Sequence, residues 1–341
     1  MKQIFITGES GTIPLAMQQI APRYGYLVAN TQLEDNDLTS FKKHQSFKVR
    51  KPEIDFLDRD LLFNSLSDLW ENIGLIIHSG AFVGTDYCLS DPSLAIRTNV
   101  EGTQNIVDIC NKYEIPLIYF STTAIMDPKN YNESHPITEH SRINPQTLYG
   151  ITKYAGELIV QNCCITNRMI LRPVFGFGNY PEDLHSALTK LIYVVYRNLQ
   201  GSLTNLNILL DMQINKSYTR VENIATCVLE LSRQIYQNPI SYFNIGEHHS
   251  RSENWYSLIS RISSLFQSKD LCSSEQFDDI MNNITFIPQA DYLHYHNIDD
   301  ERLQRNCVDF KSFEDYINLS KGIEMTIDSV IKNINQEPYW L

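Results

Sequence analysis

No apolar run in this 341-residue sequence is long enough to cross a bilayer. "LIYVVY" (191–196) is typical of the longest, and a spanning helix needs about 20 apolar residues. Basic residues are also scarce: 28 Lys and Arg stand against 40 Asp and Glu, a formal net charge of -12. That balance argues against a nucleic-acid-binding face. The short basic stretch "FKKHQSFKVRK" (41–51) reads as a solvated surface. The seven cysteines include no Cys-x-x-Cys pair with metal-ligand spacing. "HYH" (294–296) has no third ligand at useful spacing, so no metal site is expected. Internal repeats and low-complexity linkers are missing as well. An apolar run already begins at residue 3, which leaves no room before it for a signal peptide. The expectation is a soluble cytoplasmic protein with reduced thiols, bound to neither membrane nor nucleic acid.

What is present is an alternation. Apolar β-rich runs occur at 3–8, 26–30, 75–81, 116–122 and 168–174, several of them unbroken, as strands covered on both faces require. Helix-length segments lie between them, at 98–113 and 149–163 among others. This pattern predicts an α/β protein with a doubly wound parallel (Rossmann) sheet. After residue 175 the pattern loosens: a helix is expected near 186–199, strands at 205–211 and 242–246, and a helix at 221–235. Helices are also expected at "HNIDDERLQRN" and "SFEDYINLSKGIEMTIDSVI". The division expected is 1–174 plus 220–248 for dinucleotide binding, and 175–219 plus 249–341 for a smaller substrate lobe built from discontinuous segments.

The first strand runs into "TGESGTIP" (7–14), where Gly8 and Gly11 permit a tight turn and close backbone approach. A helix starting near Thr12 would aim free N–H groups and its positive dipole end at a pyrophosphate. Pro14 fills the third glycine position of the pattern, which the first helical turn tolerates. Two glycines alone carry little weight. Downstream, however, "DFLD" (55–58), "HSGAF" (78–82), "NVEGTQN" (99–105), "YFSTTAIM" (119–126) and "LYGITKYAGE" (148–157) follow in order. With these stretches the chain resembles the extended short-chain dehydrogenase/reductase family, which includes NAD-dependent sugar-nucleotide epimerases and dehydratases.

The resemblance implies a catalytic set of Thr123, Tyr149 and Lys153, with Thr123 also touching substrate. It implies cofactor contacts from Gly8, Ser10, Gly11, Thr12, Ile13, Asn30, Asp55 (on the adenine amino group), Phe56, Gly80, Ala81, Phe82 and Asn99, joined by Tyr149 and Lys153. Substrate contacts are expected at Val83, Phe175, Lys216 and Arg220. Gly80-Ala81 replaces the family's usual Ala-Ala. Asn99 can equally be a helix N-cap, and His78 reads as a buried, hydrogen-bonded histidine. Physics supports the catalytic pair, since residues four apart share one helix face. An ammonium beside a phenol favours its ionised form.

NAD or NADP is implied, with NAD favoured through the epimerase resemblance, although "YLVANTQ" (26–32) offers no carboxylate. A dehydratase would carry an Asp-Glu pair where Ala124-Ile125 stand, and Phe175 replaces the family's nucleotide-contacting Asn. The first expectation is an NAD(P)-dependent oxidoreductase or epimerase that takes hydride from a carbinol of a nucleotide-linked sugar, with Tyr149 as base. A reductase or dehydrogenase of a non-nucleotide substrate, and a non-catalytic NAD(P)-binding module, are the alternatives. The family also implies a homodimer through helices 100–113 and 149–163, using Ile106, Ile109, Cys110, Leu158, Ile159 and Val160. Core packing would explain those apolar positions equally well.

Overall fold

The computed structural model describes residues 2–8, 11–29, 55–65, 67–127, 137–178, 186–201, 218–237, 239–246, 255–282 and 318–332. Strands β1 (Lys2–Thr7), β2 (Tyr26–Val28), β3 (Ile73–His78), β4 (Leu117–Phe120) and β5 (Arg168–Pro173) lie in one parallel sheet. The short strands β6 (Gly176–Phe177) and β7 (Thr219–Arg220) pair separately, and β8 (Ile240–Ile245) closes the large sheet beside β5. The order is β2-β1-β3-β4-β5-β8. The chain leaves β1 on one side and returns on the other, so the carboxyl ends of β1 and β3 flank a topological switch point, where open α/β sheets take ligands.

Alternate residues of each strand feed two cores, one per face. Ile4, Ile6, Ile118, Phe120 and Leu171 pack under α1 (Thr12–Ile20) and, later in the chain, the helix Val221–Ser232. Phe5, Ile76, Leu117, Tyr119 and Ile170 face the opposite helices. This double burial explains the continuous apolar strands read in the sequence.

Along the chain the remaining helices are α2 (Ser67–Trp70), α3 (Thr85–Ser90), α4 (Pro92–Ile96), α5 (Gly102–Tyr113) and α6 (Leu148–Gln161). Then come α7 (Ala187–Leu199), α8 (Val221–Ser232), α9 (Trp255–Ser268), α10 (Ser274–Asn282) and α11 (Leu319–Lys332). A separate core joins Phe177, Leu188, Ile192, Ile262, Phe266 and Ile323 from widely spaced segments. The strand expected at 205–211 and the helix expected at "HNIDDERLQRN" lie outside the described residues. None of the described helices is long and apolar enough to cross a membrane.

Candidate active site

The glycine turn forms where β1 ends. Gly8 adopts φ +72°, a left-handed conformation that costs a side chain energy, and the Gly11 amide closes the turn on the Gly8 carbonyl at 2.8 Å. A Cβ on Gly8 would fall 2.6 Å from the Gly80 Cα, so the turn lies directly against the end of β3. Gly11 leads into α1 in an extended conformation, with no side-chain cap. The first N–H groups of α1, at Thr12 and Ile13, therefore belong to an end that has no side-chain acceptor of its own. Pro14 is buried within the first turn. Gly8 and Gly11, which carry no Cβ, and a positive helix end without a side-chain cap fit a pyrophosphate. Asp55 is exposed at the rim, one carboxylate oxygen accepting from the Leu57 amide at 2.9 Å. Ser10 and Asn30 lie outside the described residues.

A buried hydrogen-bond chain ties the two strand ends to α5. Thr7 Oγ1 accepts from the Gly80 amide at 2.9 Å, which leaves its own proton for His78 Nδ1 at 2.7 Å. His78 Nε2–H then donates to Thr103 Oγ1 at 3.1 Å, and Thr103 donates to the Asn99 carbonyl at 2.8 Å. The donor–acceptor sequence fixes this tautomer of a neutral imidazole. Burial first, and Lys153 second, lower the His78 pKa to about 3. His78 thus holds strands and helix together as a neutral group.

Asn99 is not a helix N-cap. It sits in the wide turn Arg97–Glu101 within a helical stretch that continues into α5. Its amide grips both backbone groups of Phe82: Phe82 N–H donates to Oδ1 at 2.8 Å, and Nδ2 donates to the Phe82 carbonyl at 3.0 Å. The same Nδ2 lies 3.0 Å from Thr152 Oγ1 on α6. One side chain therefore sets the loop after β3 relative to the helix that carries Tyr149.

Thr147 caps α6 through a bond from the Gly150 amide to Oγ1 at 3.1 Å. A Cβ on Gly150 would fall 2.6 Å from the Ala124 carbonyl oxygen, so the first turn of α6 touches the turn that follows β4. This approach brings together Tyr149 and a threonine hydroxyl. The hydroxyl that bears on the phenol's ionisation is that of Thr122, which works against the rise that burial causes. The resemblance implies Thr123, which is buried at the start of the short helical turn Thr123–Ile125. Thr122 Oγ1 also accepts from the Ala124 amide at 3.2 Å. Ser121, Thr122 and Thr123 are three consecutive hydroxyls, and the turn after β4 sets how each stands toward α6.

Lys153 is buried one turn further along α6, its Nζ 4.4 Å from the centre of the Tyr119 ring. Burial lowers its pKa to about 7, against an opposing pull from the Glu157 carboxylate. Burial also pushes the Tyr149 phenol up to about 12, while the Thr122 hydrogen bond works in the other direction. Glu157 itself is held by a buried two-point ion pair with Arg172, at 2.8 Å for both bonds. A phenol and an amine one helical turn apart are groups of the kind that exchange protons with an oxygen placed beside them.

The residues expected to touch substrate scatter more widely. Val83 is half exposed at the loop after β3, and Ala81 and Phe82 lie beside it. Phe175 packs 6.1 Å from Tyr218, against the second core. Arg220 is fully buried; it donates to the Gly322 carbonyl at 3.4 Å and pairs with Glu222 at 2.5 Å. Its charge is directed at joining β7 to α11. Lys216 and the "HYH" segment lie outside the described residues, and no metal-ligand cluster occurs among the described ones.

Comparison with known proteins places this site in context. The family model for the RmlD substrate binding domain matches residues 1–284. A dTDP-4-dehydrorhamnose reductase of Sinorhizobium fredii is 24% identical over 189 residues, covering 55% of each chain. The structure of RMD from Pseudomonas aeruginosa complexed with NADPH superposes with a TM-score of 0.71 at 15% identity, covering 97% of this chain and 100% of that one. The Thermus thermophilus UDP-glucose 4-epimerase complex with NAD gives 0.70 at 15% identity, covering 96% and 99%. The chain spans about half the length of several of the curated relatives it matches. The protein belongs to the RmlD substrate binding domain family, within the extended short-chain dehydrogenases/reductases.

Proposed function

We propose that this protein is an NAD(P)H-dependent reductase of a carbonyl group on a nucleotide-linked sugar. The observation that carries this reading is the placement of Tyr149 and a buried Lys153 one turn apart on α6, whose first turn lies against the turn that follows β4. A phenol, protonated at neutral pH, has the proton that carbonyl reduction needs at the substrate oxygen. A reduced nicotinamide, when bound, would be the source of hydride for the carbonyl carbon. Tyr149 donates its proton to the oxygen, completing a carbinol and leaving a phenolate. Lys153, as an ammonium, lowers the cost of that phenolate, and Thr122 orients the substrate oxygen by a second hydrogen bond.

Gly8, Gly11 and the first amides of α1 would hold the pyrophosphate, Asp55 the adenine and Lys153 the nicotinamide end of the cofactor. The dTDP-4-dehydrorhamnose reductase similarity supports a nucleotide-linked keto sugar as substrate. The test is a panel of keto and hydroxy sugar nucleotides, with NADH and NADPH in turn. The reading expects oxidation of one NAD(P)H per keto group reduced. Epimer interconversion with no net cofactor turnover would make the protein an epimerase instead, and no reaction would overturn the assignment.

A second copy of the chain is the proposed partner. Ile106, Ile109, Cys110 and Val160 are wholly buried within the core and leave nothing for an interface. Leu89, Ile96, Ile151 and Leu158 are instead exposed on α3, α4 and α6. Ile151 and Leu158 are seven apart, on one helix face. Sedimentation should give the dimer mass, and Ile151→Arg the monomer; a monomeric wild type removes the proposal.

A further inference from the structure

The inference concerns Phe56, and rests on the reading that the Gly8 turn binds a dinucleotide pyrophosphate. Phe56 follows Asp55 at the cofactor rim, yet its ring is turned inward and almost fully buried. The ring occupies a slot that two glycines create. A Cβ on Gly80 would fall 2.5 Å and 2.9 Å from Phe56 Cε1 and Cζ. On the other side, a Cβ on Gly102 would fall 2.5 Å and 2.7 Å from Cε2 and Cδ2. Both pairs are far inside carbon–carbon contact. The His78 ring meets Phe56 edge-on at 5.3 Å, and the Asn105 amide holds the Phe56 carbonyl at 3.1 Å. Gly80 in turn is anchored to Thr7 through its amide and lies against Gly8. The layers therefore run Gly102, Phe56, Gly80, Gly8, each in contact with the next.

We propose that Phe56 is a positioning residue for the cofactor: clamped between Gly80 and Gly102, its ring sets how far the end of β3 stands out, and so where the Gly8 turn presents its backbone to the pyrophosphate. The departure Gly80-Ala81 from the family's Ala-Ala then has a physical reason. The missing methyl is the space that an aromatic ring at residue 56 requires.

The ring has no room to recede, so a methyl at position 80 must displace the strand end towards the turn. Two probes read the effect: NADH, and ADP-ribose, which keeps the pyrophosphate but lacks nicotinamide. Gly80→Ala should weaken both about tenfold. Phe56→Leu, which leaves the turn unsupported, should weaken both several-fold. The double variant should regain most of the lost affinity, because the new methyl fills what the smaller side chain vacates. If Gly80→Ala fails to fold, Phe56→Leu and the double variant still decide the matter. A packing role alone would lower the unfolding temperatures while leaving ADP-ribose affinity untouched, and that result overturns the proposal. So does a double variant no tighter than the single ones. Failure of the unaltered protein to bind either probe overturns the cofactor reading itself, and this inference with it.

Discussion

The Lys153 ammonium nitrogen stands 4.4 Å from the centre of the Tyr119 ring, and the Tyr119 hydroxyl donates to the Lys153 carbonyl at 3.3 Å. Each residue thus positions the other at both ends. The ring face stabilises the charged amine against the burial that lowers its pKa to about 7. The ammonium is the form that supports the Tyr149 phenolate, and it is lost as pH rises through that value. For carbonyl reduction, kcat/KM should therefore fall above about pH 7, reporting the free enzyme. Tyr119→Leu removes the ring face and should move this limb to lower pH. An unshifted limb would remove Tyr119 from the account.

Thr122 bears on the ionisation of the phenol, whereas the resemblance implies Thr123 as the catalytic hydroxyl. Thr122→Val should lower kcat by about a hundredfold, the usual scale for one positioned hydrogen-bonding group. Thr123→Val should leave it within about threefold of the unaltered protein, a difference expected of a group off the reaction path. Steady-state kinetics on the two variants separates the assignments, and the reverse order of effects would restore Thr123.

His78 makes the fold sensitive to acid. Its folded pKa, about 3, lies below the ordinary 6.5. Between these values the unfolded chain binds a proton that the folded one refuses, so stability is lost as pH falls through that window. The loss from pH 6.5 to 5 is about 2 kcal/mol. Denaturant unfolding at the two pH values should show the decline, and His78→Gln should flatten it. Equal slopes with and without the histidine would contradict this.

The Arg172–Glu157 pair is buried at both ends. Removing one partner strands the other charge, at a cost of about 3–5 kcal/mol. Glu157→Gln and Arg172→Met should each reach that range, whereas Glu157→Leu with Arg172→Met should cost less than either. Chemical denaturation measures all three, and additive losses would show the two side chains to be independent.

Much of this was legible in the sequence. Unbroken apolar strands between helix-length segments specified a sheet covered on both faces, and Ile4, Phe5 and Ile6 are divided between its two cores. The Tyr149–Lys153 spacing placed both groups on one helix, because helical periodicity is local. Features that depend on contacts across the fold were harder to read. How Thr122 and Thr123 stand toward Tyr149 depends on the turn after β4 meeting Gly150. Asn99 looked like a cap because its partner Phe82 is distant in sequence. Arg220 offered a charge, but its partners Gly322 and Glu222 decide where that charge is spent. Short α3 and α4 carry too few residues to show a period of their own.

The central claim is that the Tyr149 hydroxyl transfers the proton. Tyr149→Phe removes only that oxygen, so the account predicts unchanged NAD(P)H affinity and unfolding temperature together with a loss of turnover of at least about a hundredfold. Reduction of the same substrate at near-normal rate by Tyr149→Phe would contradict it.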